Sequence, residues 1–448
     1  MAASTLLSII FKLVRAALKW LVIIIIGLVL LVVGAYGVYR MLSMWTYETD
    51  LMEHDKPYGG GDIRIHDRQV IVFKPIGPEF KFKPAAELKN PEVAEFAEDW
   101  MNHYEEVRNR ASVRLLRGDM DKGVHRIFEK PGQNGAWWLS PDWKTIYVST
   151  DWTNFKLPNG PDGYGQRWHT LWKSIDGGQS WQQLEWPEHV QPGQPLFMPD
   201  GKRGYLVADG MRIWRTFDGG QSWQEITLPS WVNQQLTGHP SGNGLLPMIK
   251  DSRATFSAFD LADDGTLRVA FYVRKAKLAA GIGDVIESTL LYRIPLSASQ
   301  DELARQWMQP EIVLQQQSVI DIKMSHDGSL NLITLLGKLK PEKVAETQQR
   351  PAAYIQWKDG KENYRHQFDE HVIPGALFVG PQDQLVLAGE SLNAKQTSSD
   401  SIILISTDRG QAWKETDDGM AYAWYYEADK NRIWKYQYRS LYWRKLNQ

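Results

Sequence analysis

The chain contains no cysteine. Disulfides, thiolate metal sites and cysteine nucleophiles are therefore excluded, and so is a lipoprotein anchor, which is built on a cysteine. Net charge is almost absent as well. Lys and Arg total 51 against 53 Asp and Glu, leaving a formal charge of −2. That balance gives no global attraction to nucleic acid or to acidic lipid. Signatures of catalysis are missing too. The ten histidines are scattered, without an H-E-x-x-H pair, and there is no G-x-S-x-G elbow or phosphate-binding G-x-x-x-x-G-K-S/T loop. Gly281-Ile282-Gly283 lacks the third glycine of a dinucleotide loop and reads as a loop. His326-Asp327-Gly328 and Asp263-Asp264-Gly265 read as turns between strands. No EF-hand ligand loop is present. The sequence assigns no catalytic residue, no cofactor and no metal ligand.

What it does have is aromatic side chains and turn formers: 20 Trp, 36 Gly and 22 Pro in 448 residues. Many aromatics among many turns favour an all-β architecture. One segment stands apart. Trp20 to Tyr39, WLVIIIIGLVLLVVGAYGVY, carries no charge. As a helix it is roughly 30 Å long, the thickness of a bilayer core, and it exceeds the ~7–15-residue apolar region of a cleaved signal. Lys12, Arg15 and Lys19 precede it, while Arg40 and then Glu48, Asp50 and Glu53 follow. The basic side stays cytoplasmic by the positive-inside rule. The expectation is a single-pass inner-membrane anchor over residues 1–45, a linker over 46–62, and an extracytoplasmic (periplasmic) domain over 63–448. Lys56-Pro57-Tyr58-Gly59-Gly60-Gly61 reads as a flexible tether within that linker.

Three stretches repeat S/T-x-D-x-G-x-x-W. They place Ser174, Asp176, Gly178 and Trp181 in LWKSIDGGQSWQQL; Thr216, Asp218, Gly220 and Trp223 in IWRTFDGGQSWQEI; and Ser406, Asp408, Gly410 and Trp413 in LISTDRGQAWKET. The spacing has a mechanical reason. A short carboxylate at a tight turn can accept its own turn's backbone N–H groups, the glycine supplies positive φ, and the tryptophan folds back over the hairpin.

The pattern resembles the Asp-box, or BNR, repeat of sialidases, sortilin-type receptors and photosystem assembly factors. The resemblance implies a β-propeller with each box between the third and fourth strands of a blade, at the rim and away from the functional face.

Third-strand segments recur at Leu171-Trp172-Lys173, Ile213-Trp214-Arg215, Leu291-Tyr292-Arg293, Tyr354-Ile355-Gln356, Ile403-Leu404-Ile405 and Tyr442-Trp443-Arg444. Their number predicts a six-bladed propeller, with seven blades as the alternative. The last blade, over 421–446, supplies three strands. Gln69–Phe73 is expected to close the ring as its outer strand, hiding two unpaired edges. One α-helix is expected as an insertion over 90–115. Asn90 suits an N-cap and Pro91 suits N1. Val93, Phe96, Trp100, Tyr104 and Val107 form an apolar stripe, opposite an acidic face that could dock a basic partner.

The resemblance also calls for a test of sialidase chemistry, which uses an arginine triad, a Tyr–Glu pair and an Asp acid/base. Tyr292-Arg293-Ile294-Pro295 matches the first-arginine motif, and Asp321 follows it. It comes after two boxes rather than before them, and Arg293 aligns with Lys173 and Arg215, ordinary third-strand residues. The favoured reading is therefore a non-catalytic protein-binding module with no nucleic-acid partner, in its sharpest form an immunity protein against a periplasmic toxin. A sialidase-like exo-glycosidase and an assembly factor for a membrane complex are the alternatives. Recognition is expected in the long loops, among them 275–286, 231–250, 338–350 and 391–400.

Overall fold

The computed structural model describes residues 46–50, 62–76, 111–132, 134–154, 166–187, 193–208, 212–228, 253–275, 285–336, 351–392, 399–419, 421, 423–437 and 440–446. They form seven four-stranded antiparallel sheets, each one blade of a propeller. From the innermost strand outward, blade 1 comprises Asp62–His66, Gln69–Ile76, Ser112–Asp119 and Gly123–Pro131. Blade 2 comprises Asn134–Leu139, Ile146–Asn154, Gln166–Ser174 and Gln182–Leu184, and blade 3 Gly193–Phe197, Gly204–Ala208, Arg212–Thr216 and Gln224–Ile226. Blade 4 comprises Arg253–Leu261, Thr266–Lys275, Val285–Pro295 and Ile312–Gln315, and blade 5 Gln317–Met324, Leu330–Leu336, Ala352–Lys358 and Lys361–Gln367. Blade 6 comprises Val372–Val379, Leu385–Leu392, Ser399–Ser406 and Lys414–Gly419. Blade 7 is Ala423–Glu427, Arg432–Gln437 and Ser440–Lys445, with Thr46–Asp50 as its outer strand.

A blade is packed on both faces by its neighbours, so its middle strands are apolar without alternation. Val70 to Phe73, Ile146 to Val148 and Leu385 to Ala388 are buried residue after residue. The hydrophobic core accordingly splits into clusters between adjacent blades. Ile71 and Val113 of blade 1 meet Trp137 and Ile146 of blade 2. Tyr147 and Leu171 meet Phe197 of blade 3, and Tyr205 and Ile213 meet Leu267 and Phe271 of blade 4. The series continues through the remaining interfaces and ends where Trp434 and Leu441 of blade 7 meet Ile63 and Val70 of blade 1.

The ring therefore has seven blades, not six. All six third-strand segments singled out in the sequence are third strands of six different blades. The overlooked seventh is Ser112–Asp119, which pairs with Gln69–Ile76 and with Gly123–Pro131. Its first residues, Ser112 to Leu115, fall within the helix expected over 90–115. They are strand because they complete blade 1, whatever their helical periodicity. The rest of that expected helix, 90–110, lies outside the described residues. Closure by an N-terminal strand is present, but with a different strand. Gln69–Ile76 is the second strand of blade 1, and Thr46–Asp50, placed in the linker by the sequence, pairs with Ser440–Lys445. Residues 1–45, with the expected membrane span, lie outside the described residues. Among the described residues, no helix is long and apolar enough to cross a membrane.

Strand direction defines two faces. In every blade the first-to-second connection, and in blades 1 to 6 the third-to-fourth connection, turns at one face. The second-to-third and blade-to-blade connections turn at the other. The first is called the box face here, since the three S/T-x-D-x-G-x-x-W turns lie on it.

Candidate functional site

The three repeats fold alike. Ser174 Oγ donates to Asp176 Oδ1 (2.8 Å) and accepts the Gly178 N–H (2.8 Å), while Asp176 Oδ1 also accepts the Ser180 N–H (2.9 Å). Thr216, Asp218, Gly220 and Ser222 repeat the arrangement. Ser406, Asp408, Gly410 and Ala412 do so again. The Ser180 hydroxyl and N–H, then the Ser174 hydroxyl, hold the Asp176 carboxyl below the usual carboxylate range. Burial pushes Asp218 and Asp408 the other way, but the bonds from their own turns outweigh it and leave both lowered. These carboxylates cap turns. Each already accepts several hydrogen bonds, a poor starting point for moving protons.

Every box is also gripped by the preceding blade. The Gly177 carbonyl accepts from Arg117 Nη1 (2.7 Å). The Gly219 carbonyl accepts from the Tyr147 hydroxyl (2.9 Å) and from Lys173 Nζ (3.2 Å). The Arg409 carbonyl accepts from the Tyr354 hydroxyl (3.2 Å). Trp181 donates to the Ile127 carbonyl of blade 1 (2.8 Å) and packs against Phe128 with the rings tilted, 4.7 Å apart. The last glycine of each motif fits closely. A Cβ on Gly178 would stand 2.5 Å from Ile127 Cδ1, and one on Gly410 2.0 Å from Tyr354 Cε1. The motif is thus a socket for the neighbouring blade as well as a capped turn.

Blade 4 lacks the motif and replaces this contact. In blade 4, helix Gln300–Gln306 follows the third strand, its start closed by a reciprocal Ser299–Glu302 capping box. Trp307 then donates to the Thr227 carbonyl of blade 3 (3.0 Å) and meets Tyr292 edge to face at 5.0 Å. Arg215 of blade 3 reaches the Leu296 carbonyl beside it (2.9 Å). In blade 5 a tight hairpin carries Asp359 and Gly360, both at positive φ. Tyr364 there donates to the Gln411 carbonyl of the blade 6 box (2.7 Å).

The inner strands carry two further clasps. Asp62 of blade 1 accepts the Trp137 indole N–H of blade 2 (2.9 Å), and the Arg64 guanidinium lies over both Trp137 and Tyr425 of blade 7. Across the ring, Lys323 of blade 5 sits 3.5 Å from Asp260 of blade 4 and 3.4 Å from Asp321. Asp321 also accepts the Leu377 N–H of blade 6 (2.7 Å). Burial pushes Asp260 up. It pushes Lys323 down, but the two carboxylates outweigh it and raise the lysine.

These contacts bear on the sialidase reading. Asp321 is tied to Lys323, to its neighbour's N–H and to blade 6. Arg293 is an exposed third-strand residue opposite Arg268, whose guanidinium approaches Glu311 at 3.9 Å. The arrangement is that of a blade joint. Among the described residues there is also no group of three or more His, Asp or Glu placed to hold a metal ion.

One large groove opens on the box face between blades 1 and 2, with a volume of about 790 Å³. Arg117, Lys122, His125 and Lys144 line it beside Asp142 and Asp176. Asp142 is committed to the Ser140 hydroxyl and the Lys144 N–H, which lower it. The groove lies between the third-to-fourth turn of blade 1, where Gly118-Asp119-Met120-Asp121-Lys122-Gly123 stands in place of a box, and the box of blade 2. The sequence reading passed over it because the blade 1 turn carries no box. Only the two flanking residue runs, with Arg117 at the Lys173 and Arg215 position, could have pointed to it.

The opposite face receives the connections 77–111, 155–165, 227–252, 276–284, 337–351 and 393–398, since each leaves and returns at that end of its strands. Apart from 296–311, which holds the short helix, the box-face connections are tight turns.

No family model matches the chain, and no curated protein matches it. Solved structures do. YCF48 bound to a D1 peptide is 12% identical with a TM-score of 0.42, over 76% of this chain and 89% of that one. The β-propeller domain of Cps50 (Swd1) from Myceliophteria thermophila is 8% identical with a TM-score of 0.46, over 89% and 99%. The GH74 xyloglucanase from Xanthomonas campestris is 14% identical with a TM-score of 0.42, over 74% of this chain and 49% of that one. These are likenesses to propellers. The seven-bladed fold itself stands on the strand pairing of this chain.

Proposed function

We propose that this chain is a non-catalytic, protein-binding propeller held on the extracytoplasmic side of a membrane. One observation carries the reading: the two faces are unequal. The box face is built of short, capped turns locked into their neighbours. The opposite face collects the long connections on a rigid ring, the arrangement by which scaffolds present recognition loops. Membrane attachment draws its support from the uncharged stretch Trp20–Tyr39 and the basic residues before it. A partner delivered to the extracytoplasmic space, such as a toxin neutralised by this chain, is the sharper form of the proposal. Assembly of a membrane complex is the second form.

The experiment is affinity capture with the full chain in detergent, from membrane and extracytoplasmic fractions of its source cell. Capture should be lost when 337–351 or 276–284 is replaced by a short Gly-Ser linker, and kept when Lys144 or Lys202 is changed to Ser. Capture indifferent to every far-face replacement, or release of sialic acid from a sialoside by the purified chain, would overturn the proposal.

A further inference from the structure

The direction of the closing strand fixes where the chain meets the ring. Thr46 lies opposite Trp443 and Asp50 opposite Ser440. Ser440–Lys445 runs toward the box face, so Thr46 is the box-face end of the outer strand of blade 7. Residues before Thr46 therefore join the propeller at the box face. Tyr39, the end of the uncharged stretch, is seven residues upstream. Even fully extended, that reach is at most about 25 Å. A tether this short keeps the box face beside whatever the stretch is embedded in.

The same face has an unusual surface. The large hydrophobic side chains left exposed among the described residues are Ile175, Phe217, Met308 and Val313. Ile175 (68% exposed) and Phe217 (51% exposed) occupy the same place in the first two boxes, between the hydroxyl residue and the aspartate. Met308 lies in the segment that replaces the box in blade 4. The half-buried Trp143, at positive φ, stands in the first-to-second turn of blade 2 on this face, one side packed against the core of blades 1 and 2. Folding does not require an isoleucine or a phenylalanine there, for the third box has an exposed threonine at that place, Thr407. The carboxylates among these tips, Asp142, Asp176, Asp200 and Asp218, are matched by turn N–H groups, and Lys144 and Lys202 are exposed beside them. Apolar tips, an aromatic and neighbouring lysines are the chemistry of a lipid interface.

We propose that the box face of blades 2 and 3 rests on the lipid surface, with Ile175 and Phe217 entering the interfacial layer. The inference depends on the membrane attachment proposed above. Two or three apolar tips bind lipid weakly by themselves, but a tether raises their effective concentration to the millimolar range and holds the contact. The far face then points away from the bilayer. This favours a partner that approaches through the extracytoplasmic space over one embedded in the same membrane.

The absence of cysteine allows a direct test. Ile175→Cys, Phe217→Cys and Glu390→Cys, the last an exposed position near the far-face end of a blade 6 strand, are each labelled with an environment-sensitive fluorophore. The labelled full chain is reconstituted in phosphatidylcholine/phosphatidylglycerol vesicles. Labels at 175 and 217 should shift to the blue and be quenched severalfold more by shallow lipid-borne quenchers than the label at 390. Equal, water-like signals from all three, on protein that resists carbonate extraction, overturn the inference and leave the attachment standing. Release of the protein by carbonate overturns both. A blue shift at 217 without lipid quenching also overturns the inference, because a second copy of the chain would then be covering the face.

Discussion

Gly410→Ala is the sharpest test of the idea that each box is a socket for its neighbour. Gly410 has φ +92°, and an added Cβ would lie 2.0 Å from Tyr354 Cε1 and 2.5 Å from its Cζ. Tyr354 cannot retreat easily. It is fully buried, and its hydroxyl is held by Asn331 (2.7 Å) and the Arg409 carbonyl (3.2 Å). Gly360 provides the control, with φ +77° and nothing within 4 Å of an added Cβ. Left-handed backbone costs an alanine about 1–2 kcal/mol at either site. Overpacking against a fixed ring adds about 1–3 kcal/mol at Gly410 alone. Gly410→Ala should therefore destabilise by roughly 2 kcal/mol more than Gly360→Ala. The assay is guanidinium unfolding followed by tryptophan fluorescence and near-ultraviolet circular dichroism. In a Tyr354→Leu background the excess should vanish, because the atoms that collide are gone. Equal losses from both alanines, or an excess that survives Tyr354→Leu, would refute the socket.

Four other outcomes follow from the same structure. Trp307→Ala should cost about 3–5 kcal/mol, like a core tryptophan, because that side chain stands in for a box at the joint of blades 3 and 4; a loss under 1 kcal/mol in the same unfolding assay speaks against it. Asp321→Ala strands the Leu377 N–H and leaves Lys323 with Asp260 alone, and should lower stability by about 1–3 kcal/mol while leaving the circular dichroism of the fold intact. Asp176, Asp218 and Asp408 have folded-state values below their unfolded ones, so their contribution is complete above about pH 3.9 and fades as pH falls through the lower folded values. Thermal midpoints should accordingly be flat near neutrality and drop below about pH 4, and Asp218→Asn should flatten part of that drop. Deleting residues 1–50 removes the outer strand of blade 7 and bares the edge of Ser440–Lys445. Size-exclusion chromatography should then show association through that edge, and a monomer as stable as the full chain would contradict the closure.

The propeller was legible because its signal is local. A hydroxyl, an aspartate, a glycine and a tryptophan within one turn identify a hairpin wherever they stand, and three copies identify a ring. The count failed where that local signal ends. Blade 1 has no tryptophan in its third-to-fourth turn, and Ser112 to Arg114 extend a helical periodicity, so a whole blade went unseen. The closing strand failed for a different reason. Gln69–Phe73 has the stronger strand composition, while TYETD is short and polar; which edge a strand pairs with is settled by distant partners, not by its own residues. The blade 4 helix could have been found, since Ser299 and Glu302 are a capping box in plain sight. The groove between blades 1 and 2 and the inner clasps could not. Asp62 meets Trp137, and Asp321 meets Leu377, only after the ring has brought neighbouring blades together.

The order in which the ribosome delivers this chain gives the closing strand a further meaning. Thr46–Asp50 is made before any blade, yet its partner Ser440–Lys445 comes nearly four hundred residues later. Through almost all of translation the ring is an open arc with two sticky ends. A product cut short anywhere before Ser440 keeps them, since it lacks the one segment able to zip them shut. Closure of the ring thus waits on the last-made blade, and until then its two edges stand unpaired.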